Sequence, residues 1–428
     1  MSNITYNKTL SVLENFNKWL ITLVPISIIA GNFLLNINII LVDLLFICIF
    51  FQKKIRLQKY VFYITFFLAI VFLFNFLNTF DNFLTSKAIL GVIRYLIFFL
   101  AFTYFLENEE NKKFFLKVTF YIILFVLVDV LIQYSFGKDI FGNEYSVSHG
   151  KRLSGPFGDE FVVGAYLSKL FFLGLMYLFL KTKNNLIYLT YLSASVLIIF
   201  LTQERSAFFI SFTALLFFIF FLKTKIKNKF FLLSTLALIL ALFIKYDETT
   251  FKKYYSQTIL QLGFSNQYHQ RSNTRVHKID TFWDSRYGAH FLTAYKIFTD
   301  NKILGSGIKT FRKKCELKKY ENINSKYYER RCNTHPHNIY FEILSEGGLI
   351  IFIPFCISIL LLLFKNLIFL IKDKNYNYSL TNICFIIIMF FPIQTSGSFF
   401  STFNGIFYWI SLALILNNMN LRLYRASF

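Results

Sequence analysis

Acidic residues are scarce in this chain: 23 Asp and Glu stand against 45 Lys and Arg in 428 residues, and the charged types together make up only 16%. A soluble protein carries roughly a quarter of its residues charged. A soluble surface of this size is therefore excluded, and a membrane must be the main solvent. Internal repeats, low-complexity tracts and Pro-rich linkers are also missing, so nothing marks off a separate soluble domain. No Asp-x-Asp pair of the kind that holds a divalent metal occurs. A cleavable leader is not expected, because the apolar run after Trp19 lacks a small-residue cleavage pattern and further runs follow at once. The first helix is expected to stay in the protein.

What the chain has instead is apolar bulk. Hydrophobic residues make up 56% and aromatic residues 20%, and the mean hydropathy is +0.52. A spanning helix needs roughly 17 to 25 apolar residues, since only a helix satisfies its own backbone inside hydrocarbon. Apolar runs predict helices near 18–31, 34–51, 60–78, 88–106, 114–135, 159–180, 186–202, 206–222, 230–245, 338–364, 379–396 and 402–418. The expected fold is an all-α integral membrane protein of about 12 transmembrane helices with one large external loop. Its parts are an N-terminal bundle of about nine helices over 1–245, the loop over 246–337, and about three helices with a tail over 338–428.

The formal charge of +22 does not point to nucleic acid, because the cations lie in short clusters between apolar runs. Part of the excess fits the compositional drift of an AT-rich genome. With a cytoplasmic N-terminus, the inner loops hold Lys53, Lys54, Arg56 and Lys59; Lys112 and Lys113; Lys181 and Lys183; and Lys223, Lys225, Lys227 and Lys229. Lys365, Lys372, Lys374, Arg422 and Arg425 complete the inner set. The outer loops are poorer, holding Lys87 in one and Lys138, Lys151 and Arg152 in a longer one. The positive-inside rule then places both termini in the cytoplasm and 246–337 outside. That loop holds 17 Lys or Arg against 8 Asp or Glu, and long loops cross largely regardless of charge. Within it, Ser285 to Asp300 predicts an amphipathic helix with Phe291, Leu292, Tyr295 and Phe298 on one face, stopped by Gly305 and Gly307. Arg312, Lys313, Lys314, Lys318 and Lys319 offer a surface for anionic membrane lipid or a solvated face.

Cys48, Cys356 and Cys384 fall in predicted spans, where a thiol is a small apolar filler. Cys315 and Cys332 fall in the external loop, 17 positions apart, and are expected to form a disulfide. Two free thiols are the alternative. A zinc site formed with His335 and His337 fits no common ligand spacing.

The stretch Thr334-His335-Pro336-His337-Asn338 leads into a long span that contains Gly347 and Gly348. Pro336 suits a first helical turn. His337 would then meet the positive helix terminus, which favours a neutral imidazole able to accept a hydroxyl proton. The two glycines would let another helix approach closely. His337-Asn338 followed by Gly348 resembles the signature of the O-antigen ligase and Wzy-type polymerase superfamily. Gly305-Ser306-Gly307, Asp284-Ser285-Arg286, Gln203-Glu204-Arg205-Ser206-Ala207 and the span pattern extend the likeness over nearly the whole chain. Ile351 stands where the family often has a small residue.

The resemblance implies a GT-C-like membrane glycosyltransferase of lipopolysaccharide biosynthesis, working at the periplasmic face by an inverting displacement without metal or cofactor. Its donor would be a glycan on undecaprenyl diphosphate, and its acceptor a hydroxyl of lipid A-core or of another glycan. By the same resemblance His337 is the catalytic base, while Arg205 and Arg286 bind the diphosphate, a role suited to a two-donor grip on phosphate oxygens. Arg152, His335 and Asn338 are secondary candidates. Without the resemblance, Arg205 would be a side chain reaching the interface or paired with Glu204, Arg286 an ordinary loop charge, and His335 a solvated residue. His149, His269, His277 and His290 receive no role. Ligation, polymerisation and transfer to protein all stay open, and a lipid-linked oligosaccharide transporter is the rival outside enzymes, although no internal pseudo-symmetry favours it.

Overall fold

The computed structural model describes residues 2–146, 151–261, 268–269, 277–278, 281–373, 375–393, 397–421 and 423–425. His149, Lys374 and Arg422 lie outside them, and His269 and His277 are described only as backbone in two short paired strands, β2 and β3 (Tyr268–His269 and His277–Lys278). A second short antiparallel pair, β1 (Arg56–Leu57) with β4 (Tyr424–Arg425), joins two chain segments far apart in sequence.

The rest is helical. The first half holds α1 (Ser2–Thr22), α2 (Val24–Ile29), α3 (Asn32–Gln52), α4 (Lys59–Leu77), α5 (Asn82–Leu106), α6 (Glu109–Phe136), α7 (Val163–Lys181), α8 (Asn185–Leu201), α9 (Arg205–Phe221) and α10 (Ile226–Tyr246). Short α11 (Glu248–Phe251) and α12 (Gln257–Gln261) lead to the lobe of α13 (Arg286–Asp300) and α14 (Phe311–Lys314). Then come α15 (Ile339–Ile371), α16 (Tyr376–Phe390) and α17 (Thr402–Asn418).

Seven helices are long and apolar enough to cross a membrane among the described residues: α3, α4, α5, α6, α7, α10 and α15. The chain is an all-α multi-pass membrane protein, and these seven match seven of the twelve expected spans. At 1.5 Å per residue, α8, α9, α16 and α17 reach only about 23–26 Å, less than a ~30 Å hydrocarbon layer. The helix expected near 18–31 breaks after Thr22, because Pro25 has no N–H to give the Ile21 carbonyl. The helix expected over 379–396 stops at Phe390, and Phe391 ahead of Pro392 is extended at ψ 141°, as a residue before proline prefers.

Burial locates the centre of the bundle. In α7, 83% of the apolar window is enclosed, against 11% in α10 and α15. The rim helix α4 leaves Phe62, Tyr63, Phe66, Leu73 and Leu77 exposed, as a lipid-facing surface would. Inside, Asn382 of α16 donates to Asn366 of α15, and Asn418 of α17 donates to Asn382, each at 2.9 Å and buried. Lys169 of α7 is buried, bonded to Asn404 and lying over the Phe403 and Phe407 rings.

Ser285 caps α13 by accepting from the Gly288 amide at 3.1 Å. The buried face is Ala289, His290, Thr293, Ala294 and Ile297, not the expected one, and Tyr295 is exposed. The small alanines let α13 lie close to its neighbours, while Phe291 stacks on Phe341 with ring centroids 4.7 Å apart. Helix α13 ends at Asp300 before the glycines. Ala294, Ile297, Phe311, Cys315 and Tyr320 form a second small core, and a disulfide joins Cys315 to Cys332 with Cα atoms 5.4 Å apart.

Gly347 and Gly348 receive a loop rather than a helix. Gly348 adopts φ 66°, ψ −174° and divides α15 into two helical pieces. There the Leu349 and Ile350 amides donate to the Lys302 and Ile303 carbonyls at 2.8 and 3.1 Å. The Ser306 and Gly307 amides donate to the Ser345 and Glu346 carbonyls, each at 3.0 Å. The Glu346 carboxylate accepts from the Lys309 and Phe311 amides at 2.7 and 2.9 Å. Gly305 and Gly348 press backbone to backbone: a Cβ on Gly305 would sit 2.3 Å from the Glu346 carbonyl oxygen.

Candidate active site

The lobe packs against α15, and its Tyr287 comes within electrostatic reach of Arg205 at the start of α9. At that end Glu204 precedes α9 and accepts from the Gly164 and Ala165 amides of α7 at 2.7 and 3.1 Å. Its carboxylate lies 3.8 Å from the Arg152 guanidinium, so Glu204 faces Arg152. Arg152 also donates to the Phe161 carbonyl at 2.7 Å. The loop carrying it is held on α6 by Gln133, whose Oε1 accepts from the Ser154 and Gly155 amides at 3.0 and 2.8 Å. Arg205 donates to Thr258 Oγ1 at 3.1 Å and lies within electrostatic reach of Arg152, Tyr254 and Tyr287.

Tyr287 connects this arginine end to the histidines, its ring lying 5.6 Å from that of His337. His337 is close enough to Arg286 for their charges to repel. His337 is half-buried with φ +59°, a left-handed conformation that is uncommon for a residue other than glycine and recurs where structure constrains a functional group. Asn338 is the cap of α15, accepting from the Tyr340 and Phe341 amides at 2.9 and 3.2 Å and donating to the Pro392 carbonyl at 2.7 Å. Pro336 therefore lies ahead of the cap rather than in the first turn, since the Asn338 side chain captures the first free amides.

Three imidazoles meet here. The His337 ring lies 4.3 Å from that of His335 and 5.3 Å from that of His290. Burial, then His335, His290 and Arg286, pushes His337 down to about 3. Burial, with His290 and Arg312, pushes His335 to about 4. Burial also lowers His290. At neutral pH all three are uncharged, and His337 Nε2 sits 2.9 Å from the Asn333 amide nitrogen. Asn333 Oδ1 accepts from the Thr334 amide at 2.7 Å, which turns its N–H groups toward the ring. His337 Nε2 therefore carries a lone pair, the form a proton acceptor needs.

The sequence-predicted residues Arg152, Arg205, Arg286, His335 and His337 thus lie in one neighbourhood, while Asn338 serves the backbone. Sequence reasoning missed His290, Tyr287 and Asn333. His290 had one signal: it follows Arg286 by four positions and so shares its helix face. No group of three or more His, Cys, Asp or Glu suited to a metal ion occurs among the described residues. The zinc set considered from sequence loses its thiolates to the disulfide. A search of the curated proteins finds no match. Residues 190–356 match the family model described as O-antigen ligase, and this matched stretch, similar to that family, holds Arg205, Arg286, His290 and His337.

Proposed function

We propose that this protein moves a glycan from undecaprenyl diphosphate to a sugar hydroxyl, with lipid A-core as the acceptor, at the periplasmic face of the bacterial inner membrane. The observation that carries the reading is the neutral His337, its Nε2 lone pair held by Asn333, in one neighbourhood with Arg286 and Arg205. As substrate binds, the acceptor hydroxyl displaces the Asn333 amide from His337 Nε2 and gives its proton to that nitrogen as its oxygen bonds to the anomeric carbon. The bond from that carbon to the diphosphate oxygen breaks, and the leaving group takes the electron pair. Attack opposite the leaving group inverts the centre. Arg205 and Arg286 hold the negative charge that develops on the diphosphate, which is where preorganised cations accelerate such a step most.

The test uses purified protein, EDTA and a lipid-linked donor, with lipid A-core and a second lipid-linked repeat as competing acceptors. Capped lipid A-core supports the reading. Lengthened lipid-linked chains identify a polymerase instead, and absence of any transfer favours a transporter. His337→Ala should abolish transfer while leaving the protein inserted and abundant. Arg205→Ala and Arg286→Ala should mainly weaken use of the diphosphate donor.

A further inference from the structure

His290 is fully buried, and its two ring nitrogens have different fates. Nδ1 lies 3.0 Å from the Arg331 carbonyl oxygen, which only an N–H can satisfy, so in the neutral ring the lone pair is on Nε2. That Nε2 is buried without a hydrogen-bond partner, and a buried acceptor left unfilled is costly and rare. His337 presents the complementary tautomer, since its Nε2 accepts from Asn333 and its proton is on Nδ1. The rings are 5.3 Å apart by centroid and tilted by 37°, a separation that lets facing nitrogens come within hydrogen-bond range.

We propose that His290 is the positioning partner of His337: its empty Nε2 receives the Nδ1–H of His337 once that ring has taken the acceptor's proton. This rests on the reading of His337 as base. An imidazole held far below its usual proton affinity is a poor acceptor unless its cation gains a partner, and His290 supplies one with no charge of its own. The arrangement puts an imidazole in the orienting place that a carboxylate fills in hydrolase triads. His335 is nearer by centroid and its Nε2 too is buried without a hydrogen-bond partner, but its Nδ1 is bonded only to the rotatable hydroxyl of Thr334, whereas the His290 Nδ1 is anchored on a main-chain carbonyl.

Full-length purified wild type, His290→Ala, His290→Gln and His337→Ala are compared on undecaprenyl-diphosphate-linked glycan and lipid A-core, each checked for thermal unfolding. Glutamine can give its amide N–H to Arg331 and offer its oxygen to His337. We expect His290→Ala to lower kcat about 100-fold, the low end of general-base effects, with KM unchanged, and His290→Gln to recover most of the loss. A His290→Ala enzyme with wild-type kcat overturns the pairing, as does a His290→Gln enzyme no better than His290→Ala. If His337→Ala still transfers glycan, the base reading fails, whatever His290 does.

Discussion

Gly348→Ala should be among the most damaging single-methyl additions in this protein. Gly348 occupies φ 66°, ψ −174°, a region essentially restricted to glycine, and a side chain there costs about 1–3 kcal/mol. The added Cβ would also lie 2.4 Å from both the Gly305 amide nitrogen and the Ile303 carbonyl oxygen. Those are backbone atoms that cannot rotate away, so the 302–311 loop must withdraw. Withdrawal breaks the bonds from Leu349 to Lys302 and from Ile350 to Ile303, each worth about 1 kcal/mol. The total, about 3–5 kcal/mol, is a large part of the 5–15 kcal/mol by which domains typically hold together. Thermal unfolding of purified protein and abundance in membranes should both fall, and glycan transfer with them. Gly91→Ala is the control, because a Cβ at Gly91 in α5 meets nothing within 4 Å and alanine suits a helix better. A Gly348→Ala protein that unfolds at the wild-type temperature would refute the reasoning.

Three other outcomes follow from the same geometry. Replacing Cys315 and Cys332 with serine opens a 17-residue separation and should lower lobe stability by about 3 kcal/mol, with transfer lost at a lower temperature; unchanged melting with and without reductant would contradict it. His335 and His337 are held at about 4 and about 3 in the folded protein, below the ordinary value of about 6.5. The unfolded chain therefore binds more protons, so stability should be full above pH 6.5 and decline as pH falls through 6.5 toward 3. Base function should not drop near pH 6.5, and a fall in kcat centred there would contradict the assignment. Glu204→Ala strips buried acceptors from the Gly164 and Ala165 amides, at about 1–3 kcal/mol each. It also frees Arg152, and an unchanged melting temperature would show that those amides find other partners.

Helix positions were largely legible because apolar runs must lie where water is absent, whatever their neighbours. Their lengths were less so: a run reads the same whether its helix spans the bilayer or stops short at Thr202 or Phe391. The polar stretch before Trp19 gave no apolar signal, yet Ser2–Thr22 is helical. In α13 the bulky Phe291, Leu292 and Tyr295 drew the expected face away from Ala289 and Ala294, whose smallness is what lets the helix pack. His337 stood out by its place at an expected helix start, whereas Arg205 and Arg286 were named from motif resemblance alone. Asn333 and Tyr287 could not be found that way, since an amide that orients a ring and a phenol that bridges two charge clusters have no characteristic spacing. His290 was readable only as a helical repeat of Arg286, a signal too common to act on.

The amide chain from Asn418 through Asn382 to Asn366 bears on how the protein is assembled. Apolar helices slide past one another at little cost in lipid, because tails and leucines are chemically alike. Two amide links at 2.9 Å remove that freedom, since a shift of one turn would strand a polar group in hydrocarbon. Helices α15 and α16 alone leave the Asn382 oxygen without the Asn418 donor, so the pair stays incomplete until α17 arrives. Docking of α17 is thus the event that locks the register of the helix bearing His337 at its mouth.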